Sequence, residues 1–452
     1  MGLATFIGGV HPFEGKELSQ DRPIQVLEPQ KGEEMVFPLS QHIGAPAKPL
    51  VQVGDRVLKG QIIAEPGGFI SANVLSSVSG TVKKIEPRLV ANGAKVNSII
   101  VENDGEEEAI EHFGEDRDYT KLSKEEIVQI VKDAGITGLG GAGFPTHVKL
   151  APKDPSKIDY VIVNGAECEP YLTSDYRLMM EQPEKIVGGV KVMLSLFENA
   201  KGVIGIENNK PEAIKKLKEM VKDEPRIEVC ELLTKYPQGG ERTLIKAVTG
   251  REISSAKLPA DAGCIVDNTD TVVSIYNAVC KTTPLIRKII TVTGDAVTTP
   301  QNFEVRLGTN YQRLVEAAGG FKTQPEKMLS GGPMMGQALF TIDFPVAKTS
   351  SALTTFTKDE VAANAPSACI RCGRCVEVCP EHLVPVMMMK ASERQNLDDF
   401  TALYGMECVE CGSCAFICPA HRPLTQAFKQ MRKAVGAARA AARAKAAAEA
   451  KN

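Results

Sequence analysis

Two runs of cysteine with the same spacing constrain this chain more than any other feature. Residues 369–380 read Cys-x2-Cys-x2-Cys-x3-Cys-Pro, and residues 408–419 repeat that spacing. Thiolates are soft ligands that suit iron–sulfur clusters, and three cysteines on one tight loop can bind three irons of a cubane. Structural zinc sites, the alternative, usually separate two CxxC pairs by a dozen or more residues. The spacing therefore predicts two [4Fe–4S] clusters in an α-helical, ferredoxin-like domain over residues 350–430.

The two runs also predict how the clusters share their ligands. In two-cluster ferredoxins with this spacing, the fourth cysteine of each run binds the cluster of the other run. We therefore expect a first cluster bound by Cys369, Cys372, Cys375 and Cys418. A second cluster would be bound by Cys408, Cys411, Cys414 and Cys379. Clusters of this kind pass one electron at a time, so the pattern indicates electron transfer.

Length and charge limit the remaining possibilities. The 452 residues suggest three or four domains, at roughly 100–200 residues each. Lys and Arg number 53 and Asp and Glu number 56, so the net charge is -3. Without a basic field, a nucleic-acid partner has no electrostatic support. No run of about 18 apolar residues occurs, which predicts a chain without a membrane-spanning helix.

The N-terminal region, residues 1–110, is predicted to be a β barrel-sandwich. Short β-branched runs within residues 35–104 form two similar halves, separated by Gly-Asp and Lys-Gly turn signals. The pattern resembles the biotinyl/lipoyl carrier fold, which presents a lysine at the hairpin tip between its halves. The connecting stretch here, residues 66–76, contains no lysine. We therefore expect a structural or docking role rather than a swinging arm.

The rest of the chain predicts further domains, so we interpret the whole as a multidomain α/β protein. Residues 118–287 alternate between helix and strand patterns, which predicts a doubly wound α/β domain with a largely parallel sheet. Its first helix carries a capping-box signature, with Ser123 followed by Glu126. Residues 288–346 resemble an SLBB-like β-grasp module, expected to act as a scaffold. Residues 431–452 form an Ala/Arg-rich tail that favours either a docked helix or disorder.

A glycine-rich segment, GITGLGGAGFPTHVKL at residues 135–150, is the second chemical signal. It follows a helix and not a strand, so it is not a plain dinucleotide-binding GxGxxG fingerprint. Taken alone, it predicts either an anion-binding loop or merely a turn. Four glycines would let backbone N–H groups approach an anion closely: Gly138, Gly140, Gly141 and Gly143.

The same segment resembles the flavin loop of the NADH-binding flavoprotein subunit of respiratory complex I, which reads GRGGAGFPT. Three further pieces follow in the family's order. VNGAECEP at 163–170 resembles VNADEGEP, YPQGGERTL at 236–244 resembles YICGEETAL, and VDNTDTV at 266–272 resembles VNNVETL. Four matching pieces in order over about 130 residues make the resemblance specific, and it implies a non-covalent FMN that reacts with NAD(H).

The resemblance also implies roles for single residues. The flavin phosphate and ribityl chain would be held by Gly138, Gly140 and Lys149, with Gly141 and Gly143 in the same loop. The isoalloxazine and ribityl groups would be lined by Asn164, Glu167, Asp267 and Asn268. The nicotinamide nucleotide would stack on Phe144 and meet Glu169 and Glu241, with Tyr236, Gly239 and Gly240 nearby.

Several positions depart from the complex I pattern. Leu139 replaces an arginine, Ala166 an aspartate, Gly240 a glutamate and Asp267 an asparagine. The second stacking aromatic that follows the lysine is missing, since Pro152 lies at about that place. Flavin contacts are therefore the firmer expectation, and nicotinamide contacts the weaker one.

Nearly the full chain, up to about residue 430, resembles the RnfC family of the Rnf electron transport complexes. Its segments follow the family's order, beginning with the leading GGVHPFEGKELS. The resemblance implies a peripheral subunit at the cytoplasmic face of the membrane, exchanging electrons between NAD(H) and ferredoxin while ions move. Its partners would be the membrane subunits of that complex and its ferredoxin-side iron–sulfur subunit. Two alternatives stay open: a soluble flavin and iron–sulfur cobalamin reductase, and a non-catalytic scaffold whose clusters act as an electron wire.

Overall fold

The computed structural model describes residues 2–449, so Met1 and residues 450–452 of the predicted tail lie outside the described residues. The leading segment, residues 2–27, lies against the central α/β domain and the β-grasp module. Ala4 and Val10 form isolated β-bridges with Leu232 and Tyr236 of the α/β domain. Strand β1, Gln25–Leu27, then pairs in parallel with a strand of the β-grasp sheet. The predicted N-terminal unit thus begins with a segment that joins other units.

The barrel-sandwich follows, with two antiparallel sheets around an apolar core. One sheet has the order β2-β8-β7-β4 and the other the order β3-β5-β6. Phe37, Ile63 and Ile99 are fully buried between them, as expected where alternate strand residues face inward. The strands are β2 Glu34–Pro38, β3 Lys48–Pro49, β4 Arg56–Val57, β5 Ile62–Glu65, β6 Val74–Leu75, β7 Gly80–Leu89 and β8 Lys95–Asn103.

The α/β domain has a parallel sheet with the order β11-β10-β9-β12, and the predicted strand–helix alternation is confirmed. The Ser123 side chain accepts from the Glu126 N–H, and the Glu126 carboxylate accepts from the Ser123 N–H, so the capping box forms. The strands are β9 Tyr160–Gly165, β10 Lys201–Glu207, β11 Ile227–Leu232 and β12 Cys264–Asn268. The helices are α1 Lys124–Asp133, α2 Thr146–Leu150, α3 Ser174–Glu181, α4 Pro183–Ser195, α5 Pro211–Val221, α6 Glu241–Thr249 and α7 Thr269–Cys280.

The β-grasp module forms a mixed sheet with the order β1-β14-β13-β17-β15-β16. It takes one strand from the leading segment and one from beyond residue 346. Its short helix is α8 Tyr311–Ala317. The strands are β13 Arg287–Thr293, β14 Gln301–Arg306, β15 Lys327–Ser330, β16 Gln337–Ala338 and β17 Ala352–Phe356.

The cysteine-rich domain is helical and packs around Met388, Phe400 and Phe428, which are almost fully buried. Its last helix runs on into the Ala/Arg-rich tail and is anchored by the buried Met431 and Val435. In the part of the chain that the structure describes, no helix is long and apolar enough to cross a membrane. The helices are α9 Glu360–Ala363, α10 Arg374–Glu377, α11 Pro385–Glu393, α12 Leu397–Ala402, α13 Ser413–Phe416 and α14 Leu424–Glu449.

Candidate functional site

A central cavity of about 1980 Å³ lies between the α/β domain, the β-grasp module and the barrel. Strands β9 and β12 end at it, which is where open parallel sheets bind ligands. Pockets for a single small ligand measure about 300–1000 Å³, so this cavity has room for more than one. The predicted site residues that line it are Gly138, Gly140, Gly141, Gly143, Phe144, Lys149, Asn164, Glu167, Glu169, Tyr236, Gly239, Gly240, Glu241 and Asn268.

The glycine-rich loop is closed by a backbone hydrogen bond and is tied to a neighbouring helix by a second hydrogen bond. The Gly138 N–H donates to the Phe144 carbonyl at 2.8 Å. The Leu139 N–H donates to the Thr271 hydroxyl at 2.9 Å, which ties the loop to α7. A Cβ added to Gly140 would lie 2.9 Å from the Asn268 side chain, whereas one added to Gly141 would meet no atom within 4 Å. Gly140 therefore permits close packing, and Gly141 leaves backbone open toward the cavity, as a bound phosphate or ring would need.

Lys149 places a positive charge on the cavity wall, and Asp267 holds it there. The Lys149 ammonium donates to the Val266 carbonyl at 2.8 Å and lies 3.0 Å from Asp267 Oδ1. Asp267 is fully buried and does not line the cavity. Burial raises the pKa of Asp267, and the neighbouring Lys149 lowers it. In this structure Asp267 positions the cation, whereas the sequence suggested a flavin contact.

A buried lysine from the leading segment organises the acidic turn after β9. The Lys16 ammonium donates to the Glu167 carbonyl at 2.8 Å and to the Leu172 carbonyl at 2.6 Å. The Glu167 carboxylate accepts from the Asp175 N–H at 2.6 Å, where a negative charge suits the start of α3. Burial raises the pKa of Glu167 to about 7, against the opposing charge of Lys16. Sequence reasoning missed Lys16, although the GGVHPFEGKELS segment contains it.

Glu169 joins the same turn to the β-grasp module. One oxygen of its carboxylate accepts from the Met334 N–H at 2.6 Å and from the Met335 N–H at 3.1 Å. Burial raises the pKa of Glu169, and these two N–H groups lower it. The side chain therefore fixes the β-grasp loop at the cavity edge.

A neighbouring group of small residues closes the floor of the cavity. The Asn164 amide donates to the Gly239 carbonyl at 2.8 Å, and the Gly239 N–H donates to the Cys168 sulfur at 3.2 Å. A Cβ on Gly239 would lie 3.3 Å from both Ala166 and Cys168. The backbone at Gly239 therefore lies close to Ala166 and Cys168, and a side chain there would be crowded. Glu241 starts α6 at the edge of this floor.

Tyr236 connects the cavity to the cysteine-rich domain. Its side chain is buried, and its hydroxyl donates to the Cys411 carbonyl at 2.7 Å. Arg242 makes a second connection, with its guanidinium 2.7 Å from the Glu381 carboxylate and 3.2 Å from the Glu407 carboxylate. The sequence placed Tyr236 beside a nicotinamide nucleotide. The structure adds a contact to the second cysteine run.

The cysteines of the two runs interact in crossed groups. Burial raises the pKa of Cys408 to about 12, and the thiols of Cys411 and Cys379 add to the rise. Burial likewise raises the pKa of Cys414, whose neighbours include Cys379. In the other group, burial and the thiols of Cys418, Cys369 and Cys372 raise the pKa of Cys375. Ligation by these groups stays a prediction.

Backbone N–H groups also point at the cysteine sulfurs, as they do in proteins that tune iron–sulfur potentials. The N–H groups of Arg371, Leu383 and Glu410 donate to the sulfurs of Cys369, Cys379 and Cys408, each at 3.4 Å. Among the described residues, no three His, Cys, Asp or Glu side chains form a group that could hold a single metal ion.

The cavity meets the second cysteine run at Tyr236, whose hydroxyl contacts the Cys411 carbonyl. Matches to an FMN-binding domain and to a 4Fe-4S dicluster domain define the class of the protein, an electron-transfer protein that uses FMN and iron–sulfur clusters. Four family models match the chain in the expected order. They are the RnfC Barrel sandwich hybrid domain over 4–106, the Nuo51 FMN-binding domain over 131–277, the SLBB domain over 289–338 and the 4Fe-4S dicluster domain over 368–421. The predicted fold class is confirmed.

Curated relatives identify the family, and each is the C subunit of its complex. The chain is 44% identical to that of the proton-translocating ferredoxin:NAD(+) oxidoreductase complex of Clostridium ljungdahlii over 407 residues, which cover 88% of each chain. It is 45% identical to that of the Na(+)-translocating complex of Acetobacterium woodii, over 87% of this chain and 88% of the relative. It is 37% identical to that of the ion-translocating oxidoreductase complex of Vibrio cholerae, over 88% of this chain and 51% of the relative. The chain therefore belongs to the RnfC family.

Proposed function

We propose that this chain is the peripheral subunit of an ion-translocating ferredoxin:NAD+ oxidoreductase complex that passes electrons between NAD(H), FMN and two [4Fe–4S] clusters. The names of its relatives support the reaction and the membership of a complex. The match to an FMN-binding domain and a 4Fe-4S dicluster domain supports the cofactors. The membrane subunits and the ferredoxin-side iron–sulfur subunit would be its partners, at the cytoplasmic face.

The residues at the cavity fit an FMN. When bound, FMN accepts a hydride and releases its electrons singly, which is chemistry that the protein itself does not supply. Lys149 would place its charge near the flavin phosphate, and the loop from Gly138 to Gly143 would offer backbone N–H groups to it. Asn164 and Asn268, at the ends of β9 and β12, would offer polar contacts to the flavin. Phe144 would give an aromatic face for the nicotinamide nucleotide.

We propose that the second cluster lies next to the flavin in the electron path and that the first cluster follows it. The single observation that carries this order is the hydrogen bond from the Tyr236 hydroxyl, on the cavity wall, to the Cys411 carbonyl. Cys411 belongs to the proposed second ligand set. Cys369 and Cys372, of the first set, are exposed at the protein surface. The first cluster would therefore face the partner subunit.

Anaerobic purification of the full chain, followed by analysis and NADH titration, tests this function. We expect about eight iron and one FMN per chain, from the two [4Fe–4S] clusters and the single flavin site. NADH should bleach the flavin absorbance and then bring up the EPR signals of reduced clusters. Bound zinc without acid-labile sulfide would contradict the clusters. A chain with flavin and iron that NADH fails to reduce would be a scaffold and not an oxidoreductase.

A further inference from the structure

The barrel contributes a wall to the central cavity. Residues 66–71, the first part of the loop that connects β5 to β6, lie in the stretch in which a carrier domain would present its lysine. Here that loop carries Phe69, which lines the cavity together with Ile43 and Asn92 of the same barrel. The tip of the barrel thus faces a ligand site within the same chain.

This loop is held rigidly to the neighbouring segment, residues 42–46. The Ala45 N–H donates to the Ile70 carbonyl at 3.0 Å. The Ser71 hydroxyl donates to the Ala45 carbonyl at 2.9 Å and accepts from the Gly67 N–H at 3.0 Å. A Cβ on Gly67 would collide with the Pro46 carbonyl oxygen, so the two loop segments are in direct contact.

The same segment is packed against the glycine-rich loop. A Cβ on Gly143 would lie 3.0 Å from the His42 Cα and 3.2 Å from the Gln41 carbonyl oxygen. His42 in turn accepts from the Ala72 N–H at 3.1 Å, just beyond the barrel loop. The backbone on either side of Phe69 is therefore held close to the loop that would hold the flavin.

Phe69 is 82% exposed even though its backbone is so well braced. Single exposed aromatic residues are common, but this one lies on the wall of a cavity of about 1980 Å³. That volume exceeds what one small ligand fills, so a second ligand fits beside the flavin. An aromatic ring on a cavity wall can recognise a planar heteroaromatic ring by stacking.

We propose that Phe69 is a nucleotide-binding residue, and that its ring stacks on the adenine of the nicotinamide dinucleotide while the nicotinamide end reaches the flavin. The proposal rests on the proposed function, because it takes NAD(H) as the second ligand. It assigns the barrel a part in nucleotide binding.

Two fragments that do not reduce the flavin test the proposal by calorimetry on the full, FMN-loaded chain. ADP-ribose contains the adenine half of the dinucleotide, and nicotinamide mononucleotide contains the other half. Phe69→Ala should weaken ADP-ribose binding about tenfold, as loss of one base-stacking aromatic does, and leave nicotinamide mononucleotide binding unchanged. Phe69→Tyr should retain wild-type affinity for both. Phe340→Ala is the matched control, since Phe340 is 76% exposed and lies outside the cavity wall as the described residues define it.

Three results would overturn the proposal. They are unchanged ADP-ribose affinity in Phe69→Ala, an equal loss for both fragments, and failure of the wild-type chain to bind ADP-ribose. The proposed function has a separate readout in the bleaching of flavin absorbance by NADH. If wild-type flavin is bleached while Phe69→Ala binds ADP-ribose normally, the function stands and the role of Phe69 falls.

Discussion

The two cysteine runs have the same spacing but different surroundings. In the run at 408–419, Cys411 is buried and its carbonyl accepts a hydrogen bond from Tyr236. Glu407, next to the start of that run, is held by Arg242. In the run at 369–380, Cys369 and Cys372 are exposed, and Ile370 between them is 66% exposed. One run is joined to the cavity wall through Tyr236, and the other begins with two exposed cysteines.

The difference teaches that spacing and position carry separate information. The spacing selects the kind of cluster, because it sets how many thiolates one loop can supply. The position selects what each cluster exchanges electrons with, and solvent exposure and hydrogen bonds to the sulfurs tune its potential. The second cluster would therefore receive electrons from the flavin, and the first would exchange them with a partner.

The largest expected effect is loss of a whole cluster by mutation in the opposite run. Cys379→Ser should destroy or disturb the second cluster, and Cys418→Ser the first, because the fourth cysteine crosses over. Each variant should lose up to about four iron atoms. Iron analysis and EPR measure this, with the half-buried Cys230→Ser as the control that keeps all iron. Damage confined to the cluster of the mutated run would disprove the crossed ligation.

Next in size is loss of the flavin with both clusters kept. Gly141→Val should abolish FMN binding, because the added side chain would extend into the open space beside the loop. Flavin fluorescence after denaturation and iron content measure the two effects separately. Gly436→Val is the matched control, since a Cβ there also meets no atom within 4 Å. Full flavin content in Gly141→Val would place the cofactor elsewhere.

A smaller effect should follow from Arg242→Met, which removes the cation that joins the α/β domain to both cysteine runs. Arg242 pairs with Glu381, just after the first run, and with Glu407, just before the second. Burial raises the pKa of Glu381 and Arg242 opposes that rise, so the variant leaves a buried carboxylate without its partner. The Ser255 hydroxyl and backbone N–H lower the pKa of Glu407, and Arg242 adds to this. The variant should lose about 2 kcal/mol of stability at pH 8.

The sign of the pH dependence follows from those carboxyls. Glu381, whose pKa lies above its ordinary value of 4.5 and rises further without Arg242, takes up a proton first as the pH falls from 8, so its part of the Arg242→Met deficit should shrink above pH 4.5. Glu407, whose pKa lies below 4.5, stays charged there and keeps its part of the deficit. Urea unfolding at each pH measures it. Arg422→Met, which breaks the surface pair with Glu393, should cost under about 1 kcal/mol. A deficit that does not change with pH would contradict the electrostatic explanation.

The smallest effect is expected from Tyr236→Phe, which removes only the hydrogen bond to the Cys411 carbonyl. A net hydrogen bond is worth about 1 kcal/mol. Electron transfer from the flavin to the second cluster should therefore slow by at most about fivefold, the change expected if the barrier rises by that whole amount. Stopped-flow absorbance measures flavin reduction and cluster reduction in turn. Flavin reduction should be unaffected, and reduction of the first cluster should slow together with that of the second, which precedes it in the proposed electron path. Substitution of the exposed Tyr404 by Phe serves as the control. An equal slowing in both variants would contradict a role for the Tyr236 hydroxyl in electron transfer.

The sequence was enough to predict structure wherever that structure depends on residues close together in the chain. The capping box of Ser123 and the strand–helix alternation are short-range patterns, and each has the predicted structure. The glycine-rich segment lies on the cavity wall, and its binding role stays a prediction. Nearly all predicted cavity residues line the cavity. The exception, Asp267, precedes Asn268 at the end of β12. Successive strand residues face opposite sides, so one lines the cavity and the other turns away.

The long-range contacts could not be predicted. Lys16 reaches Glu167 across 151 residues, and Tyr236 reaches Cys411 across 175, so no local period or turn signal connects them. Glu169 was assigned to the site by its motif, but a motif does not say which way a side chain turns, and one oxygen binds the β-grasp loop. Packing of whole domains decides these contacts.

The order of the two clusters is the central claim, and freeze-quench EPR of the full chain mixed with NADH tests it most directly. In Cys372→Ser, which lacks a ligand of the first cluster, the flavin should still reduce the second cluster at the wild-type rate. In Cys411→Ser, which lacks a ligand of the second cluster, the flavin should be reduced while the first cluster stays oxidised. Reduction of the first cluster at the wild-type rate in Cys411→Ser would contradict the claim.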